Sequence, residues 1–336
     1  MNKSMEFNYF IGIDVSKKTL DISVFKQKEF DFHIQIENSI KSFKTFLSTL
    51  KRKKINTLNC LFCAENTGVY NEHIKTICEK DDLFLWIEKP LQIIKSQGIT
   101  RGKTDKIDSK RIAYYAYKNH EDAKKWVAPR PVVVRIKRLI TLRKNLLNNF
   151  KQLKLVINEK KFLNTDLEIL SNACKNSLLA IKQDIKNLEK QILDLIKEDS
   201  DLNHKYNLVT SIDGIGMFTA IEVIIATNEF KNFTNAKQFA CYCGVVPFDF
   251  SSGTSIHKRP RVSSMANVNL KTLLHMSALS AVAMKGEMRE YFIRKVTQGK
   301  NKMSVINAIR NKLILRIFAV IKKDQPYQKD FSFSFG

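Results

Sequence analysis

Between Tyr9 and Ile36 the chain alternates apolar and polar residues in three short runs, YFIGIDVS, LDISVFK and FDFHIQI, separated by the polar turns KKT and QKE. β-Branched and aromatic residues at period two predict three consecutive strands. The spacing then changes. SIKSFKTFLSTLKR places apolar residues on one helical face, LNCLFCAE reads as a buried strand, TGVYNEHIKTICEK as a helix and DLFLWIEK as another strand. Three strands followed by alternating helix and strand predict a mixed sheet flanked by helices, an α/β domain. A basic helix, DKIDSKRIAYYAYK, follows, and then WVAPRPVVV, where Pro129 and Pro131 mark a linker.

Residues 132–200 read as elongated helices. Leu139, Leu142, Leu146, Phe150 and Leu153 form one apolar stripe; Leu178, Ile181, Ile185, Leu188, Ile192 and Leu195 recur at a heptad spacing. Such a coiled-coil seam serves equally well as an antiparallel hairpin within one chain or as a dimer contact. A third stretch is mainly helical and opens with NLVTSIDGIGMFTAIEVIIA. Gly214 and Gly216 between two apolar helices suit a helix-hairpin-helix, whose backbone N–H groups can meet a phosphate. A plain turn between helices has the same pattern. The expected organisation is thus 1–128, an α/β domain; 129–204, a helical coiled-coil region; and 205–330, a mainly α domain.

Charge narrows the partners. Lys and Arg number 57 against 33 Asp and Glu, a net charge of +24. The excess clusters: residues 91–160 hold 18 basic and 5 acidic residues, and 251–312 hold 12 and 2. A basic excess of this size points to nucleic acid. No apolar stretch is long enough for a membrane span and no signal-peptide pattern is visible, so a soluble, cytoplasmic protein is expected. The six cysteines lack zinc-like pairing and read as packing residues, Cys60 and Cys63 included.

Four acids stand out against this background. Asp14 ends an apolar strand run and Glu65 closes another, the place where open sheets carry their sites. Asp105 and Asp108 are three residues apart, so a helix presents both on one face. Each alone would serve as a cap or a solvated charge. Together they form a hard oxygen donor set for Mg²⁺ or Mn²⁺, and two such ions could clamp a phosphodiester. Arg101, Lys103, Lys106, Lys110 and Arg111 surround the second pair and suit DNA phosphates. Asp21, just after a turn, reads as structural.

IGIDVSKKTLDISVF, AENTGVY and GKTDKIDSKRIA, followed in order by SIDGIGMFTA, FTNAKQFACYCGVVPFDFSSGTSI, NLKTLLHMSALSA and NAIRNKLILRIFAVI, resemble the Piv-type site-specific invertases and related insertion-sequence transposases over nearly the whole chain. The resemblance implies an RNase H-like (RuvC-like) DEDD domain with Asp14, Glu65, Asp105 and Asp108 as its metal-binding acids. It also implies a C-terminal transposase domain whose serine nucleophile corresponds to Ser252, with Ser251 as the neighbouring alternative. Lys258, Arg259, Arg261 and Lys271 would then contact nucleic acid. For the insertion-sequence branch it implies a structured guide (bridge) RNA joining donor and target DNA, and a homo-oligomer, dimer or tetramer. The chain departs from the family pattern at Asn66, at Ser109 and at Ala266-Asn267 with Leu270-Lys271. The lysine keeps the charge of the family's arginine but not its bidentate geometry.

Three functions compete. A recombinase uses both the acids and Ser252. A hydrolytic RuvC-like endonuclease needs the acids alone, and the long C-terminal region counts against it. A non-catalytic nucleic-acid binder needs neither, and the complete acidic set counts against it.

Overall fold

The structure, a computed structural model, describes residues 6–96, 104–158, 167–252, 256–263 and 265–328, with backbone alone for 156–158, 167–171, 248–252 and 256–261. The chain divides into two compact units, Met1–Ala128 and Pro129–Gly336.

The first unit is a five-stranded sheet in the order β3-β2-β1-β4-β5. β1 (Tyr9–Val15), β2 (Thr19–Lys26) and β3 (Glu29–Glu37) form an antiparallel meander, as their short polar turns require. α1 (Ile40–Arg52) carries the chain across to β4 (Cys60–Glu65), which joins β1 in parallel. Ser39 caps α1 through its side chain. α2 (Glu72–Lys80) leads to β5 (Phe84–Glu88), parallel to β4. A short α3 (Pro90–Ser96) follows, unforeseen in the pattern because it is only two turns long. α4 (Asp105–Lys118) completes the unit.

Strand alternation gives the sheet two cores. Ile11, Ile13, Leu20, Ile22, Phe62 and Ala64 pack on one face with Phe43, Phe46 and Ile74 from α1 and α2. Phe10, Phe25, Leu61, Cys63 and Trp86 pack on the other with Ile112, Ala113 and Tyr115 of α4. Gly12 sets the distance on that second face. A Cβ there would lie 2.2 Å from both Ala113 N and Ser109 O. Ser109 is itself buried, its hydroxyl 2.8 Å from that of Ser23 on β2 and 3.0 Å from Lys106 O. The serine that departs from the family pattern therefore bonds the helix to the sheet.

The second unit begins with α5 (Pro131–Asn158) and α6 (Leu167–Glu198). Ile136 and Ile140, near the start of α5, share a core with Ile192 and Ile196, near the end of α6, so the pair is antiparallel. The heptad positions Ile185, Leu188 and Ile192 are buried within this chain. The same core takes in Leu202 of α7 (Ser200–Thr210) and Ile221 and Ile224 of α8 (Met217–Thr227). A second, larger core joins α7 and α8 to α9 (Ala236–Tyr242), α10 (Val268–Ala283), α11 (Glu287–Thr297) and α12 (Lys302–Lys323). Into this helical unit is set a two-stranded antiparallel hairpin, β6 (Phe248–Ser252) and β7 (Ile256–Arg261), which the apolar pattern did not announce.

The segment between the two prolines does more than link. The Arg130 side chain bonds Glu229 Oε2 at 2.8 Å and Asp199 Oδ2 at 2.9 Å. Asp199 in turn caps α7, accepting from Leu202 N. Burial acts to raise the Glu229 carboxyl, but Arg130 and Lys205 outweigh it and hold the group below its usual range.

Candidate active site

The sheet register assembles the acids. On β1, Asp14 pairs across with Asp21 of β2. Ile13 pairs with Ala64 of β4, so the next step brings Asp14 level with Glu65. Glu65 pairs with Glu88 of β5. Residues level on neighbouring strands point to the same face, and Asp14 shares its face with Gly12 and Phe10, against which α4 packs. A row of four acids, Asp21, Asp14, Glu65 and Glu88, therefore crosses the sheet just beyond the apolar core.

α4 supplies the rest from above. Thr104 caps it, accepting from Ile107 N at 3.3 Å. Asp105 and Asp108 both fall in the first turn, where the partial positive charge of the helix end favours carboxylates. Asp105 lies one turn before Ser109, and Ser109 lies over Gly12. The helix start thus reaches the acidic row because Gly12 lets it sit so low. The loop after Glu65 is held as firmly. Asn71, fully buried, donates to Glu65 O at 2.8 Å and accepts from Thr67 N and from the Thr67 hydroxyl.

Electrostatics follow from this crowding. The Asp14 carboxyl is pushed up to about 6, first by burial and then by the charges of Glu65, Asp105, Asp108 and Asp21. Glu65, Asp105 and Asp108, the other three acids singled out in the sequence, thus all act on Asp14. Among the described residues, no three His, Cys, Asp or Glu side chains are drawn tightly enough to hold a metal ion as they stand. The donor set nevertheless suits a hard divalent cation: oxygen ligands only, and a local excess of negative charge that a cation would relieve.

The remaining acids of the row are engaged. Asp21 is buried and accepts from Gln35 Nε2 at 3.0 Å, with His33 Nε2 at the same distance. Glu88 accepts from Lys89 N at 2.7 Å and lies 3.4 Å from the Tyr115 hydroxyl. Neither was marked in the sequence as part of the site. Glu88 closes β5 as Glu65 closes β4, but that it and Asp21 stand level with Asp14 depends on which strands are neighbours.

The basic residues around α4 divide. Lys106 is exposed. Lys110 sits 3.7 Å over the Phe30 ring and Arg111 pairs with Asp108 at 2.8 Å. Arg101 and Lys103 lie outside the described residues.

In the second unit, Ser251 and Ser252 end β6, opposite His257 and Ile256 of β7. Two residues at a strand end are thereby carried to the tip of a hairpin, whose turn, Gly253 included, lies outside the described residues. Lys258, Arg259 and Arg261 lie on the partner strand β7. Lys271 is in the first turn of α10, which Asn267 caps from Leu270 N while also donating to the Tyr242 hydroxyl. Ala266 packs on Gly244, where a Cβ would come within 2.5 Å of it. Gly214 has φ +88, and a Cβ there would lie 2.6 Å from Ser277 O, so α10 crosses directly over it. Gly216 starts α8 with open space beside it.

The buried thiols match their reading as packing residues: burial pushes Cys60, Cys78 and Cys243 up to about 12. Among the described residues, no helix is long and apolar enough to cross a membrane.

A sheet ordered 3-2-1-4-5, with acids at the ends of its two central parallel strands and in the first turn of the packed helix, is compatible with an RNase H-like DEDD domain. A transposase model of the IS110 DEDD type matches residues 11–160, and the model described as "Transposase IS116/IS110/IS902 family" matches residues 206–292. Both matched stretches are transposase domains of the IS110/IS116/IS902 family. It is 27% identical over 329 residues to the pilin gene-inverting protein of Moraxella bovis, covering 95% of this chain and 98% of that one. The protein of the same name from Moraxella lacunata is similar to the same extent. The transposase for insertion sequence element IS1111A of Coxiella burnetii is 23% identical over 193 residues, 56% of this chain and 52% of that protein.

Proposed function

We propose that this chain cleaves and rejoins DNA strands as a recombinase, with a divalent-metal site at Asp14, Glu65, Asp105 and Asp108 and with Ser252 as the nucleophile. The observation that carries the reading is the convergence of four carboxylates on Asp14 in a chain with transposase domains of this family. Mg²⁺ or Mn²⁺, taken as two ions, would polarise the scissile phosphate and offset its charge. The chain's own groups do the rest. Asp14 and Glu65 hold their oxygens on rigid strands, and Asp105 and Asp108 close on them from α4. A serine hydroxyl is a weak nucleophile and needs such an activated phosphate. Ser252 Oγ forms a bond to phosphorus as the bond from phosphorus to the 3′ oxygen breaks, and the 3′ oxygen leaves carrying a proton. A later 3′-hydroxyl attacks the same phosphorus and releases the serine, so no external energy source is consumed.

Lys258, Arg259, Arg261, Lys271 and Lys106 serve as backbone contacts in this reading. The turn between α7 and α8 acts as a helix-hairpin-helix with its open side at Gly216. The molecule works as a homo-oligomer in the cytoplasm on donor and target DNA, with a structured bridge RNA choosing both. Serine strand transfer on the branched junction of a circular substrate tests the chemistry. A denaturing gel should show a protein–DNA adduct with wild type and Mg²⁺, none with Ser252→Ala, and neither adduct nor nick with Asp14→Asn. Nicking without adduct in the wild type would make the protein a hydrolytic endonuclease instead.

A second reading has its own support. The end-to-end relatives are named as gene-inverting proteins, while the IS1111A transposase aligns over about half the chain. Inversion of one defined segment in place of RNA-guided insertion would follow. Sequencing the RNA that copurifies decides: one abundant structured species supports guidance, and its absence with inversion of a reporter segment supports the invertase.

A further inference from the structure

α5 carries no Asp or Glu in its 28 residues. Its inner side is spent on the core through Ile136 and Ile140. Arg143 is spent too: it bonds Glu189 at 2.8 Å and covers the Phe218 ring at 3.4 Å. Among the described residues, it is the cation of α5 that meets a carboxylate. Lys137, Lys144 and Lys151 are all exposed, with exposed Thr141 and Asn148 between them. Steps of four and three residues keep these five on one edge of the helix. Arg138 and Lys154 are exposed to either side of them, and Arg135 is exposed farther round the helix.

A solvated helix face ordinarily mixes signs, as α6 does, where exposed Lys182, Lys186 and Lys190 are interspersed with exposed Asp184 and Asp194. A contact with a second copy would want apolar area. The outer face of α5 offers little beyond Leu142 and Leu155, and two such cationic faces repel. What remains is a polyanion.

We infer that the exposed face of α5 docks the sugar–phosphate backbone of duplex DNA, as a surface separate from the acidic site. The inference rests on the reading that the chain acts on DNA. Unneutralised lysines release condensed counterions from phosphates, and the Asn148 amide between them can donate to a phosphate oxygen. From Lys137 to Lys151 the edge extends about 21 Å at ~1.5 Å per residue. That is enough to reach the strands on both sides of a B-form major groove, about 12 Å wide. The deep, narrow major groove of an RNA duplex offers no comparable approach.

The test uses the full-length protein with EDTA, so that binding is read without cleavage. Affinity for a labelled 30-base-pair DNA of random sequence is measured from 50 to 200 mM NaCl. For Lys137→Gln/Lys144→Gln/Lys151→Gln we expect binding at least tenfold weaker at 50 mM. The slope of log affinity against log salt should become shallower by about 2–3, near 0.9 for each lost contact. Lys182→Gln/Lys186→Gln/Lys190→Gln, the control on α6, should move the slope little. Melting curves confirm that both variants fold. An unchanged slope in the α5 variant overturns the inference, as does weakened binding to RNA duplex alone, or a changed sedimentation coefficient with unaltered DNA binding. Wild-type protein that binds no duplex DNA would instead defeat the functional reading on which the inference rests.

Discussion

Asp14 sets stability against the proposed chemistry in one side chain. Burial and four neighbouring acids raise its carboxyl to about 6. The folded group is therefore harder to ionise than the unfolded one. The resulting penalty is absent below about pH 4, grows between pH 4 and 6 and is full at neutral pH, where it costs about 1–3 kcal/mol. Asp14→Asn should accordingly raise the melting temperature of metal-free protein at pH 7.5 and leave it nearly unchanged at pH 4. Mg²⁺ should raise the melting temperature of the wild type but not of the variant; a variant less stable than wild type in EDTA at pH 7.5 would refute this account. Arg310 is a second costly residue. It is buried, its Nε has no hydrogen-bond partner among the described residues, and its bond to His275 Nδ1 at 2.8 Å joins it to a group held below its usual range by burial and by Arg310 itself. Replacing an uncompensated buried charge with an apolar side chain of similar volume commonly stabilises. Calorimetry on Arg310→Met should show melting raised by a few degrees, about 1–2 kcal/mol.

At the scale of elements, α4 belongs both to the core and to the candidate site. Its lower turns bury Ile112 and Ala113, and its first turn presents Asp105 and Asp108. One glycine couples the two roles. Gly12→Ala forces a methyl group into the Ser109 carbonyl and the Ala113 amide. The helix must lift, with a loss of about 3 kcal/mol or more. Lifting also separates its acids from Asp14, so Mg²⁺ binding by calorimetry should weaken even at temperatures where the variant remains folded. The α5, α7 and α8 ends meet at Arg130, Asp199 and Glu229. Glu229 is held below its ordinary range, so its contribution is present above about pH 4.5 and is lost as pH falls through its folded value. Arg130→Ala leaves that buried carboxylate uncompensated. It should cost about 2–4 kcal/mol at pH 7, and the difference from wild type should shrink below pH 4, as denaturant melts at both pH values would show.

For the whole molecule the governing quantity is charge. A net +24 concentrated along 91–160 and 251–312 makes the free energy of DNA binding largely a matter of counterion release. Affinity for duplex DNA should fall at least a hundredfold between 50 and 200 mM NaCl; a flat dependence would show that the basic residues face something other than phosphates. The acidic row stands in the first unit and the hairpin with Ser252 in the second, so on the proposed reading the two are disabled independently: Asp14→Asn and Ser252→Ala should each leave this salt-dependent binding intact.

Much of this was legible without coordinates. Strands and long helices follow from apolar periodicity, a local property, and so do the strand-end acids, the helical spacing of Asp105 and Asp108 and the clustering of cations. Tertiary structure decided the rest. Asp21 and Glu88 joined the acidic row because β2 and β5 flank β1 and β4 at one particular register, which no local window contains. Gly12, Ser23 and Ser109 gained their meaning from the close crossing of α4 over the sheet, and Arg130 from three helix ends that converge on it. Sequence pattern dictates which residues seek burial or solvent; which of them meet depends on contacts between positions far apart in the chain, and those exist only once the chain has packed.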